Sequence, residues 1–99
     1  MNITPEHTID PNALNEALWD FPMHCTLKVL GVSNYAVEQI TKDILNRHEV
    51  SFEQDSILIK WSKNQTYLSV NIRVCFTHAE QVKAVYAALK DHEGIRYAL

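Results

Sequence analysis

The sequence is poor in the residues that mark specialised chains, with two glycines, three prolines and two cysteines among 99 residues. No apolar run approaches the roughly 20 residues that a membrane-spanning helix needs. No basic stretch followed by an apolar one precedes the domain, so we expect no secretory signal and a cytoplasmic location. Cys25 and Cys75 form no CxxC motif, and the five histidines are scattered, so we expect no metal and no cofactor.

Charge is distributed unevenly along the chain. Residues 1–20 hold four acidic residues and no lysine or arginine, whereas residues 21–99 hold nine basic and eight acidic residues. The nearly neutral second part makes nucleic acid an unlikely partner, because proteins that bind it usually carry a basic excess. We therefore describe residues 1–20 as an acidic, partly flexible N-terminal extension and residues 21–99 as one domain.

Hydrophobic periodicity predicts six elements in this domain. They are a strand over 21–31, a helix over 34–48, a strand over 49–61, a strand over 67–76, a helix over 77–92 and a strand over 95–99. Ser33 or Asn34 can cap the first helix. Thr77 and Glu80 fit a capping box for the second helix, and a polar interruption near Asp55 predicts a bend or bulge.

This order of elements is that of the ferredoxin-like split βαβ fold, an α+β class. Right-handed crossovers place four antiparallel strands in the order 4-1-3-2, with both helices on one face. The other face is open, and we expect it to be polar and mildly basic with one aromatic side chain. The residues predicted there are His24, Thr26, Lys28, Tyr67, Ser69, Asn71, Arg73, Cys75, Arg96 and Ala98.

Two places on this plan are candidates for binding. Lys28 and Arg73, on adjacent strands, could hold an anion or an acidic partner. Gly31 permits a tight turn, and helix amides beyond it could hold a carboxylate. The alternatives are solvated cross-strand pairs and an ordinary strand-to-helix turn. The candidate binding residues are Lys28, Gly31, Ser33, Asn34, Tyr67, Ser69, Asn71 and Arg73.

Other chemistry finds less support in the sequence. Cys75 would need a base to act as a nucleophile, and neither His78 nor a neighbouring His24 has a third group to orient it, so we expect no enzyme. RNA recognition on such a sheet uses several aromatic side chains, and only Tyr67 is present. The acidic partner of Lys28 and Arg73 could also be the extension of this same chain, which would fold across the open sheet and bury Trp19.

The chain resembles the YbeD-like family of small bacterial proteins over residues 18–99. The resemblance rests on three ordered segments, LWDFP…KVLG, SKNQTYLSV and FTHAEQVKAVYAAL. It implies an ACT-like, ferredoxin-like fold but no established ligand site. It also implies a regulatory role connected with lipoate metabolism, which has been proposed because genes of this family tend to neighbour lipoate-biosynthesis genes. ACT-like domains in general bind small effectors, often amino acids, at dimer interfaces.

These observations predict a small, non-catalytic regulatory or interaction domain that forms a homodimer. Its effector would be a small carboxylate, either an amino acid or a lipoate-related acid. One alternative is a protein–protein adaptor that docks on a metabolic enzyme through the open sheet face. A second alternative is weak RNA binding through Tyr67.

Overall fold

The computed structural model describes residues 19–99. Within these residues, five strands and two α-helices follow one another along the chain. They are β1 (Met23–Val32), α1 (Val37–Arg47), β2 (Ser51–Phe52), β3 (Leu58–Trp61), β4 (Tyr67–Phe76), α2 (Ala79–Asp91) and β5 (Ile95–Ala98). None of the helices in this part of the chain is long and apolar enough to cross a membrane.

The strands form one antiparallel sheet in the order β2-β4-β1-β5, and β3 pairs with β4 along the same edge as β2. The predicted α+β class and strand order are therefore confirmed, with one correction: the second predicted strand is two strands. Polar residues 53–56 separate them, and Gln54–Ser56 form a 3₁₀ turn. The Ser56 hydroxyl donates to the Glu53 carbonyl at 2.6 Å and accepts the Arg73 amide at 2.9 Å, which holds the interruption against β4.

Alternate residues of β1 and β4 face the helices and form the core. Leu27 and Val29 on β1, and Ile72 and Phe76 on β4, are completely buried. The second helix contributes an apolar stripe whose members are all buried in the same core: Val82, Val85, Tyr86 and Leu89. Burying a side chain of this size stabilises the fold by roughly 1.5–3 kcal/mol.

The first helix begins later than the sequence predicted. Its N-cap position is Ala36, and no side chain caps it, so the predicted caps Ser33 and Asn34 are wrong. Glu38 and Lys42, one helical turn apart, form an ion pair at 3.3 Å.

The second helix begins without the predicted capping box. The amide and the hydroxyl of Thr77 both donate to Oε1 of Gln81, at 2.7 and 3.1 Å, and Glu80 takes no part. Gln81 is buried, and its Nε2 donates to the carbonyls of His48 and Glu49. This one side chain therefore joins the start of α2 to the end of α1.

Candidate functional site

Five of the eight predicted binding residues lie together on the open face of the sheet. In the β1–β4 ladder, Lys28 is opposite Asn71, and Tyr67 is opposite Val32. Ser69 and Arg73 follow on the same face of β4, because paired residues of an antiparallel ladder share a side and alternate along the strand. The alternation of β4 therefore places these polar side chains on one face of the sheet, as the sequence predicted, although Ser69 is buried there.

Arg73 and Lys28, two of the cations on this face, have different surroundings. Nε of Arg73 lies 3.4 Å from Oε2 of Glu53, and both side chains are more than half exposed. Lys28 is exposed and forms no salt bridge with any residue in 19–99. Lys28 and Lys60, which lies opposite Ser69 on the same face, therefore carry positive charges that form no salt bridge among the residues that the structure describes.

The open face is more apolar than the sequence predicted. Ala98, predicted here, pairs instead with Val29 and faces the helices, whereas Tyr97 pairs with Leu30 on the open side. The physical reason is a register shift between Leu30 and Gly31, which breaks the alternation that the prediction assumed. Large apolar side chains exposed on this face are Leu58, Tyr67, Tyr97 and Leu99.

Three backbone amides are engaged at the β1–α1 junction, which holds the other three predicted binding residues. The Ser33 amide donates to the Thr66 carbonyl at 2.9 Å, and the Tyr35 amide donates to the Val32 carbonyl at 3.0 Å. The Val37 amide donates to the Tyr35 carbonyl at 2.9 Å. These three amides therefore donate to backbone carbonyls of the protein itself, and the carboxylate site at this junction stays a prediction.

Gly31 has a packing role at this junction. A Cβ added there would lie 2.6 Å from Cγ2 of Val37 and 2.8 Å from the Gly94 carbonyl oxygen. Real Cβ contacts are essentially never this short, so the glycine allows α1 and β5 to approach β1 closely. It faces the core, away from the surface that carries Lys28.

A groove lies between the start of α1 and β3, and we call it the α1–β3 groove. Its volume is about 370 Å³. Its wall is largely apolar, it includes the carboxylate of Glu38, and it contains no basic residue. The lining residues are Tyr35, Ala36, Val37, Glu38, Gln39, Ile59, Trp61 and Leu68. The sequence did not predict this groove, because the alternation of the strand expected over 49–61 gave no sign that Ile59 and Trp61 would be exposed.

β3 is the most exposed strand of the sheet. All four of its residues are exposed, and Leu58 and Trp61 are each 56% accessible. Among residues 19–99 it pairs only with β4, so its other edge has no strand beside it. The sequence indicates this exposure through the segment LIKW, which places apolar residues on both faces of an edge strand.

The two cysteines lie on opposite faces of the sheet. Cys25 is buried on the helix side, and burial, aided by the charge of Cys75, raises the pKa of its thiol to about 11. Cys75 lies on the open side, with its Sγ 3.8 Å from Nε2 of His24. Within residues 19–99, no cluster of three histidine, cysteine or acidic residues could hold a metal ion.

Comparison with known sequences matches one family over most of the chain. The family model described as "Protein of unknown function (DUF493)" matches residues 16–99. A UPF0250 protein of Idiomarina loihiensis is 30% identical over 85% of this chain and 93% of its own length. A UPF0250 protein of Cronobacter sakazakii is 33% identical over 87% of this chain and 95% of its own. Neither name states an enzymatic activity.

Comparison with solved structures identifies the fold. Protein HP0495 from H. pylori superposes with a TM-score of 0.67 and 14% identity, covering 94% of this chain and 98% of that one. The ACT domain from the GTP pyrophosphokinase of Chlorobium tepidum has a TM-score of 0.62 and 6% identity, covering 78% and 95%. At these identities the likeness concerns the fold alone, and that fold is ACT-like.

Proposed function

This chain belongs to the DUF493 family, the UPF0250 or YbeD-like proteins of unknown function, and we propose that it is a non-catalytic regulatory domain that self-associates through β3. An ACT-like fold fits a small regulatory domain. The observation that carries the proposal is the exposure of all four residues of β3, three of which have large apolar side chains. An exposed strand edge of this kind is a ready template for pairing with another chain.

The side chains of β3 suit pairing with a second copy. In an antiparallel pair, residues directly opposite share a face. With a two-fold axis at Ile59, Trp61 would lie opposite Ile57 of the second copy, and Lys60 would lie opposite Leu58. Apolar side chains would then meet on the helix side, and the two lysines would not oppose each other.

Association would also cover the α1–β3 groove, since Ile59 and Trp61 form one of its walls. A small molecule in that groove would contact both copies and favour the associated state, which is a population shift. The apolar wall and the Glu38 carboxylate suit a neutral ligand better than an acid. As the partner that covers β3 and the α1–β3 groove, we favour a second copy of this chain. A metabolic enzyme that docks on this chain would use the same surface.

The test is the mass of the protein in solution, measured by analytical ultracentrifugation over a concentration series. Wild type is expected to form dimers, and Trp61→Glu should weaken association by at least roughly tenfold, because a buried aromatic anchor is lost and a charge enters the interface. Leu99→Glu, exposed on the far side of the sheet, is the matched control and should still dimerise. A wild-type monomer throughout, or a Trp61→Glu dimer as tight as the control, contradicts the proposal.

A small carboxylate effector is the second candidate function, and the observation that favours it is the exposed Lys28, which lies opposite Asn71 and forms no salt bridge among residues 19–99. An amino acid, lipoate or octanoate at about 100 times its dissociation constant should stabilise the domain by about 2.7 kcal/mol. That would raise the unfolding midpoint by on the order of 10 °C. Lys28→Met should lose the shift and Lys63→Met should keep it. No shift with any of these acids would exclude them as effectors.

A further inference from the structure

A second groove lies between α2 and β5, at the opposite edge of the sheet from β3, and we call it the α2–β5 groove. Its volume is about 560 Å³. Apolar side chains of α2, among them Tyr86, line it together with three basic residues, and no acidic residue contributes to the lining. The basic residues are Lys83, Lys90 and Arg96. Such a groove suits a segment that carries both apolar and acidic side chains.

Trp19 forms one wall of this groove and is the first residue that the structure describes. Its ring packs against Phe21 edge to face, with 6.2 Å between ring centroids. The indole Nε1–H is shielded from solvent and has no hydrogen-bond acceptor among residues 19–99. A buried donor without an acceptor is costly, so a carbonyl or carboxylate oxygen bound at this place would stabilise the fold.

We propose that the α2–β5 groove binds the acidic N-terminal segment of the same chain, residues 1–18, which lie outside the described residues. Their sequence contains Glu6, Asp10 and Glu16 and no lysine or arginine. It also contains Leu14 and Leu18, four residues apart, which could occupy the apolar part of the groove. The charge of the segment is thus opposite to that of the groove.

Chain continuity supports this occupant over an acidic segment of another protein. Glu16 precedes Trp19 by three residues, which span about 10 Å when fully extended, so it is within reach of the basic side chains. A segment tethered at the wall of its own binding groove has a high effective concentration there, on the order of millimolar. The inference is independent of self-association, because β3 lies at the other edge of the sheet.

Hydrogen exchange of the full chain, read by mass spectrometry over residues 1–18, tests the proposal. These amides should exchange more slowly in wild type than in an unstructured peptide. The double variant Lys83→Glu/Lys90→Glu should speed their exchange by on the order of tenfold, because attraction becomes repulsion. The matched control Lys28→Glu/Lys63→Glu, also at exposed lysines, should leave it unchanged. Unchanged protection of β4 amides reports that each variant is folded.

A second variant carries its substitutions in the N-terminal segment and leaves the groove intact. Glu6→Gln/Asp10→Asn/Glu16→Gln should speed exchange of residues 1–18 as the groove variant does, and added salt should reduce the difference between wild type and both variants. Wild-type exchange at the rate of an unstructured peptide would overturn the proposal. So would equal protection in the groove variant and its lysine control, or protection that rises with protein concentration, which would place the segment on another molecule.

Discussion

Tyr67 and Phe76 are the first and last residues of β4, and they lie on opposite faces of the sheet. Both are paired with β1, Tyr67 opposite Val32 and Phe76 opposite Met23. Phe76 is completely buried beneath the helices, whereas Tyr67 keeps 38% of its surface exposed. Since backbone pairing is common to both, the helix layer decides how much each side chain contributes to stability.

The largest expected effect on stability comes from truncating one of these two aromatic residues, and the other is its comparison. Phe76→Ala should lower the free energy of unfolding by about 3–5 kcal/mol, because it removes a buried ring and leaves a cavity. Tyr67→Ala should change it by less than about 1 kcal/mol, as for most exposed positions. Equilibrium unfolding in urea measures both. Equal losses in the free energy of unfolding would mean that the open face is covered in solution. Analytical ultracentrifugation would then show association.

The second prediction uses the two cysteines as reporters of the two faces. Cys25 has a pKa of about 11 in the folded chain against an ordinary value of 9.0, because its thiol is buried. The unfolded chain therefore loses this proton first, so the stabilisation is complete below pH 9 and is lost as pH rises to 11. The loss should be up to about 2.7 kcal/mol.

Matched variants isolate this contribution from other alkaline titrations. Tyr35, for example, has its pKa raised by a hydrogen bond to Glu93. Cys25→Val should flatten the fall in stability between pH 9 and 11, whereas Cys75→Val should largely keep it. Urea unfolding at each pH provides the measurement. An equally steep fall in Cys25→Val would show that the buried thiol is not its source.

The fold was predictable because its main strands obey simple alternation. In β1 and β4, every second residue from Met23 and from Leu68 onward is apolar except Gly31, and these are the residues that the helices cover. The polar members, Lys28, Asn71 and Arg73, then had to share the open face. Five of the predicted binding residues were brought together for this reason alone.

What the sequence did not reveal depends on contacts between distant segments. Gly31 admits the Gly94 carbonyl at a distance that a side chain would forbid, and the register of β5 shifts there. That shift turns Tyr97 rather than Ala98 to the open side. Gln81 displaces the predicted capping box because it reaches carbonyls more than 30 residues away, which local spacing cannot indicate.

The smallest expected effect concerns the ion pair of the open face. Arg73→Ala removes the 3.4 Å contact with Glu53, but both side chains are more than half exposed, so the loss should be only about 0.2–1 kcal/mol. It should shrink further as salt is added, because exposed charges are screened. Ser56→Ala is the informative comparison, since its hydroxyl accepts the backbone amide of Arg73.

Losing that hydrogen bond should cost about 0.5–1.5 kcal/mol and should not depend on salt, because no charged group is removed. Urea unfolding at low and high salt separates the two variants. If Arg73→Ala were the more costly change at high salt, the Arg73 side chain would be making an apolar contact through its stem. The polar side chains of the open face would then contribute to stability through packing. The two faces would differ only in how much their side chains stabilise the fold.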